Sequence, residues 1–98
     1  MAIGVVFEFP GVGQAKYEEI VDLFMEHGRR FSKLADWPAK GCLMHMAGPM
    51  PGGWRVVDVW ELEEAFHRFG EVMMPAAAKV GLPLTEPKIF PLFKFVNS

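Results

Sequence analysis

Apolar side chains recur with two different periods along this chain. Residues 2–9, AIGVVFEF, set Ile3, Val5, Phe7 and Phe9 on one side and Gly4, Val6 and Glu8 on the other. That two-residue alternation predicts a strand, which Pro10-Gly11 ends. From Gln14 the spacing lengthens. Tyr17, Ile20, Val21, Phe24, Phe31 and Leu34 follow the recurrence of an amphipathic helix. Gly28 is where that helix would break or bend, and Asp36-Trp37-Pro38 is its stop. Its start has no strong cap, because Gly13 offers no side-chain acceptor.

The alternation returns over residues 42–47, a second predicted strand, and Gly48 to Gly53 read as a turn. Trp54 to Trp60 form a third strand with Trp54, Val56, Asp58 and Trp60 on one face. A second helix runs from Glu63 to about Val80, with Ala65, Phe66, Phe69, Val72, Met73, Ala76 and Val80 on one stripe. Pro75 inside that pattern predicts a kink. After a loop over 82–87, residues 88–96, KIFPLFKFV, predict a last strand, and Pro91 assigns it to a sheet edge. The order is β-α-β-β-α-β. It predicts an α+β, ferredoxin-like domain spanning residues 1–98, a four-stranded antiparallel sheet with two helices on one face.

Two helices cover only one side of a sheet, so the strands should be polar on the other. They are not. Val6, Val57, Val59, Phe90, Leu92 and Val96 stand opposite the residues assigned to the core. Left bare, such a face exceeds the few hundred Å² that monomers tolerate. A second copy of the chain, sheet against sheet, is the expected cover, since two-fold homodimers are the commonest assemblies.

Composition fits this picture. An apolar fraction of 51% with 22% charged residues is globular, and nine Phe, three Trp and seven Met make the chain greasy for its 98 residues. The net charge of −2 includes no basic run beyond Arg29-Arg30, which argues against nucleic acid as a partner. No apolar stretch reaches the roughly 20 residues of a membrane span. No secretory signal is visible, and a cytoplasmic location is expected. Cys42 is the only cysteine, so neither an intrachain disulfide nor a cysteine-based zinc site is possible. No His-x-His or His-x-x-x-His spacing suggests another metal, and no cofactor is expected.

The chemistry centres on the hairpin HMAGPMPGGWRVVDVWE, residues 45–61. His45 is either an edge histidine meeting solvent or a base lining a cavity, its ordinary pKa of about 6.5 suiting it to proton abstraction near neutrality. Asp58 is its natural partner if the register pairs His45 with Val56 or Asp58. A slip of one residue puts them on opposite faces, so the sequence leaves the pair open. Trp54 and Trp60 serve either as packing or as the aromatic wall of a flat substrate. Phe7 and Phe66 are assigned to the same wall. Glu8 either projects toward that region or ends a strand in water. His27, on the first helix's apolar stripe, is half-buried packing or looks into the cavity. His67, between Glu63 and Glu71, reads as a solvated helical pair.

The segment HMAGPMPGGWRVVDVWELEEAFHRF, the opening FEFPGV and the helix end MMPAAAKVG resemble the dimeric α/β-barrel superfamily, closest to small bacterial proteins grouped as antibiotic biosynthesis monooxygenase-like. The resemblance implies a homodimer and, in each subunit, a cavity between sheet and helices. It also places His45 at the histidine of a recurrent H-x-A-G-P pattern. Superfamily members include cofactor-free quinone-forming oxygenases, haem-degrading enzymes, polyketide cyclases and isomerases. The chain departs from the haem-degrading and some cyclase members, which carry a histidine late in the second helix, where Met73 to Lys79 here hold no imidazole. It departs from the Asn–Trp oxygenase pattern as well, since Asn97 is its only asparagine.

Two functions follow from these readings. One is a cofactor-free enzyme, monooxygenase-like or an isomerase or cyclase, on a small flat hydrophobic substrate, with His45 as base and Asp58 orienting it. The other is a non-catalytic homodimer that binds a small hydrophobic or aromatic ligand or another protein.

Overall fold

A computed structural model describes residues 2–24, 40–83 and 85–96. The elements are β1 (Ile3–Pro10), α1 (Gln14–Phe24), β2 (Cys42–Met50), β3 (Gly53–Trp60), α2 (Glu63–Val80) and β4 (Lys88–Pro91). The strands form one antiparallel sheet in the order β2-β3-β1-β4, the ferredoxin-like α+β arrangement. Expectations for residues 25–39, including the rest of the first helix, His27 and Trp37, lie outside the described residues.

Alternation along β1 and β3 assigns the core. Ile3, Val5, Phe7 and Phe9 of β1 and Trp54, Val56 and Trp60 of β3 are buried with Ile20 of α1 and Ala65, Phe66, Phe69, Met73 and Ala77 of α2. Both helices therefore cover the same side of the sheet. The stripe on α2 differs from expectation at two positions: Val72 is exposed and Ala77 is buried. Steps of three and four from Phe66 through Phe69, Met73 and Ala77 keep one face toward the sheet and turn Val72 off it. The helix continues through Pro75 as a single 18-residue element. It closes on Gly81 in the left-handed region (φ 73°), with Gly81 N–H donating to Ala78 O at 3.3 Å and Leu82 N–H to Ala77 O at 2.9 Å. This pair of bonds satisfies two of the last carbonyls.

Two strand ends differ from the sequence reading. β2 runs on to Met50, because Gly48, Pro49 and Met50 still pair with Arg55, Trp54 and Gly53. The turn shrinks to Pro51-Gly52, a pair suited to a turn with a positive φ at its second position, here 76° at Gly52. Gly11 N–H donates to Gly52 O at 2.8 Å and ties this turn to the end of β1. β4 stops at Pro91 rather than continuing to residue 96, since proline offers no donor to the ladder; only Leu92 N–H to Ala2 O, 3.0 Å, carries the pairing further. β4 is an edge strand, as Pro91 implied.

The far face of the sheet is laid out in rows by the pairing. Phe90, Gly4, Val59 and Met44 form one, and Lys88, Val6, Val57 and Met46 the next. The Phe90 ring fills the space above Gly4, where an added Cβ would lie 2.4 Å from its Cζ. Glu8 and Arg55 form the third row. Arg55 donates from Nη2 and Nε to Glu8 Oε2 at 2.7 and 3.1 Å, and Lys88 Nζ lies 3.8 Å from Glu8 Oε1. The Arg55 hydrogen bond holds the Glu8 carboxyl below its ordinary range. No helix packs on this face among the described residues, and Met46 and Phe90 are 52% and 45% exposed there.

Candidate active site

The hairpin register settles what the sequence left open. His45 pairs directly with Asp58, so both side chains point to the helix-covered face. A register irregularity between Cys42 and Met44 shifts the start of β2 but leaves this pairing intact. His45 Nδ1 and Asp58 Oδ1 are 2.6 Å apart. Asp58 is 2% exposed in the central strand β3, where a carboxylate is sustained only with a strong partner.

The other imidazole nitrogen is also engaged. Tyr17 Oη lies 2.6 Å from His45 Nε2. Tyr17 sits in the first turns of α1, on the stripe that also buries Ile20. A carboxylate only accepts, so the ring donates Nδ1–H to Asp58, and the neutral ring's Nε2 then accepts the Tyr17 O–H. The result is a directed chain, phenol to imidazole to carboxylate, running from α1 across β2 to β3.

Burial pushes the Tyr17 phenol from its ordinary 10.0 up to about 12, and the Asp58 charge adds to the push. Tyr17 therefore keeps its proton and acts as the donor. Burial, then Asp58, carries the Cys42 thiol from 9.0 up to about 12, and the thiol donates to Met44 O at 3.3 Å. Both groups hold protons in the folded protein that the unfolded chain releases earlier. Their contribution to stability is complete below about pH 9 and is lost as pH rises toward 12. Urea midpoints should fall steadily from about pH 9 upward, and Tyr17→Phe should flatten the part above about pH 10. A profile level to pH 11 in the parent protein would contradict the burial of both groups.

The chain forms the polar corner of a cavity of about 40 Å³ between sheet and helices. Phe7, Phe9, Trp54 and Val56 line it from the sheet, Ile20 and Val21 from α1, and Phe69 and Met73 from α2. Trp54 lies against the Tyr17 ring, centroids 5.4 Å apart. The Trp54 Nε1 is buried with no hydrogen-bond partner among the described residues.

The structure thus brings together His45, Asp58, Trp54 and Phe7 of the residues singled out from sequence. Trp60 is fully buried behind the cavity, against Phe66 and Phe69, with centroids at 6.0 and 5.1 Å. Phe66 packs on Phe7 at 6.0 Å and does not line the cavity. Glu8 is not part of this constellation. Alternation along β1 turns it to the far face, where Arg55 and Lys88 claim it. His67 is exposed on α2, 3.9 Å from Glu63. Tyr17 was missed as a functional residue. The available signal was a phenol, the only tyrosine in the chain, on an otherwise apolar stripe, since a buried hydroxyl needs a partner. Among the described residues no three His, Cys, Asp or Glu side chains gather as a metal site. No described helix is long and apolar enough to cross a membrane.

Solved structures share this architecture. SnoaB, a cofactor-independent oxygenase from Streptomyces nogalater, matches with a TM-score of 0.61 at 15% identity, over 99% of this chain and 97% of its own. A variant of SnoaB with one asparagine changed to alanine gives 0.63 at 15% identity, over 99% and 98%. A protein named as a candidate antibiotic biosynthesis monooxygenase from Chloroflexus aurantiacus gives 0.60 at 15% identity, over 98% of both chains. No family model and no curated protein matches the sequence. The chain thus shares its fold with these solved structures.

Proposed function

We propose that the protein is a cofactor-free enzyme, monooxygenase-like or an isomerase or cyclase, that acts on a small flat hydrophobic substrate between sheet and helices. The observation that carries this reading is the buried Asp58–His45–Tyr17 chain at the polar corner of an apolar cavity. Asp58 fixes the imidazole tautomer and stabilises the imidazolium that forms when Nε2 takes a proton. The surrounding aromatic wall excludes water and strengthens that interaction. The base removes an acidic C–H or O–H proton and leaves a delocalised anion. In the oxygenating branch a methylene between aromatic rings is oxidised by O2. One oxygen atom becomes the new carbonyl, and the other leaves as water with the two hydrogens. In the isomerising or cyclising branch the anion is reprotonated elsewhere or attacks a carbonyl of the same molecule. SnoaB, of like fold, is a cofactor-independent oxygenase, which supports the first branch.

The test is turnover by chelator-treated, desalted protein. Anthrone-like substrates should consume one O2 per molecule, or yield an isomer or cyclised product without O2. Saturable binding with neither product across such substrates would leave the ligand-binding reading in place.

The homodimer belongs to this proposal. The rows of Val6, Val57, Met44, Met46 and Phe90 offer an apolar face beside the Glu8–Arg55 pair. A standard interface buries about 1,600 Å² in total, and a four-stranded face supplies half of that from each copy. Val57→Arg places a charge at the centre of the face and should convert a dimer to a folded monomer in sedimentation equilibrium. A parent chain that sediments as a monomer at micromolar concentration removes the dimer.

A further inference from the structure

We propose that Tyr17 holds the place of the substrate's own hydroxylated ring, so the ligand of this site is a phenol or an enol that displaces it. The inference rests on His45 being the base of the proposed reaction. It adds the chemical class of the ligand and the manner of its entry.

Three observations carry it. First, the Nε2 lone pair that would receive a proton is taken by the Tyr17 hydroxyl at 2.6 Å. The phenol ring lies nearly parallel to the imidazole (12°) and against the Trp54 indole. An aromatic hydroxyl held by the base and backed by an aromatic wall is the pose that deprotonation of a phenolic or enolic substrate requires. Second, the cavity is about 40 Å³ while Tyr17 is in place, room for a few waters. An apolar hole that admits a benzene ring is on the order of 150 Å³. A ring enters only if a ring leaves, and Tyr17, half-buried in the first turns of α1, is the ring whose departure also ends the hydrogen bond to Nε2. Third, Trp54 lines the same cavity with its Nε1 buried and unpartnered among the described residues. A buried donor without an acceptor is unusual in a finished site. A ligand with a carbonyl near its hydroxyl supplies that acceptor, so hydroxyaryl ketones and their enol tautomers fit better than plain hydrocarbons.

The test uses p-cresol, the tyrosine side chain as a free molecule, with toluene as the analogue that lacks the hydroxyl, both by titration calorimetry. Tyr17→Ala opens a hole of matching shape. It should bind one p-cresol per chain at least tenfold more tightly than the parent protein does, and toluene at least tenfold more weakly than p-cresol. Equal affinity for the two, or no saturable binding, overturns the proposal. Tyr17→Phe keeps the ring and removes only the competing hydroxyl, so it guards against a variant that fails to fold. Its affinity for p-cresol should rise roughly 2- to 12-fold over the parent, the weight of one net hydrogen bond. An unchanged or lower affinity overturns the proposal as well. Hydroxyl-selective binding with no turnover of any substrate defeats the enzymatic reading and leaves this one standing. Turnover that depends on His45, without hydroxyl-selective binding in either variant, does the reverse.

Discussion

His45→Ala is expected to lower kcat on any active substrate by about 10²–10⁴-fold while KM changes little, the loss that follows removal of a positioned general base. The reason lies in what the imidazole does and does not touch. Its ring is held at both nitrogens, by Asp58 and by Tyr17, and contributes a proton site more than apolar contact area. Asp58→Asn is the sharper variant. An amide at that place would donate to Nδ1 and force the ring proton to Nε2, where no proton can then be received. The expected loss is comparable, about 10⁴-fold where the wrong tautomer has been enforced in a serine protease. Parent-like rates in His45→Ala would remove the base from the mechanism.

Trp60→Ala is expected to destabilise the fold by about 3–5 kcal/mol. Domains of this kind have only about 5–15 kcal/mol in total, so the variant should be largely unfolded in mild urea. Trp60 has no exposed surface and fills the space under α2 against Phe66 and Phe69. Its Nε1 is buried with no partner among the described residues, a penalty of about 1–3 kcal/mol already built into the native protein. Trp60→Phe gives up volume but also removes that penalty. The two partly cancel, and its cost should be under about 1.5 kcal/mol. Urea unfolding of the pair decides the point. Equal losses in both variants would mean that the indole nitrogen, rather than the ring's bulk, holds the site together.

Periodicity carried most of the architecture. Alternation in β1 and β3 and the 3.6-residue stripe of α2 were readable because one face of each meets the core, and burial selects side chains face by face. Boundaries were harder. β2 absorbed Gly48, Pro49 and Met50 because an edge strand tolerates proline, which local turn propensity does not convey. β4 shrank because Pro91 ended a ladder that its apolar residues would otherwise have extended. At the site, the sequence supplied His45 and Asp58 but not their pairing, since register depends on a turn length that Pro51-Gly52 set and the six-residue Pro/Gly run concealed. Tyr17 was hidden for a different reason. It is separated from His45 by 28 residues, and only the packing of α1 on the sheet brings the two together. Glu8 was misleading because a carboxylate amid apolar neighbours invites a chemical role, whereas strand parity had already turned it away from His45.

Both borders of the sheet are poor templates for strand addition. β2 carries a bulge-like irregularity near Cys42 and a donor-less Pro49, and β4 offers three residues before Pro91 interrupts it. Such interruptions discourage a further strand from hydrogen-bonding alongside. A chain this rich in phenylalanine and methionine would otherwise invite growth into fibrils. The homodimer proposed above would instead stack face on face, which stops at a pair, whereas growth edge on edge has no natural end.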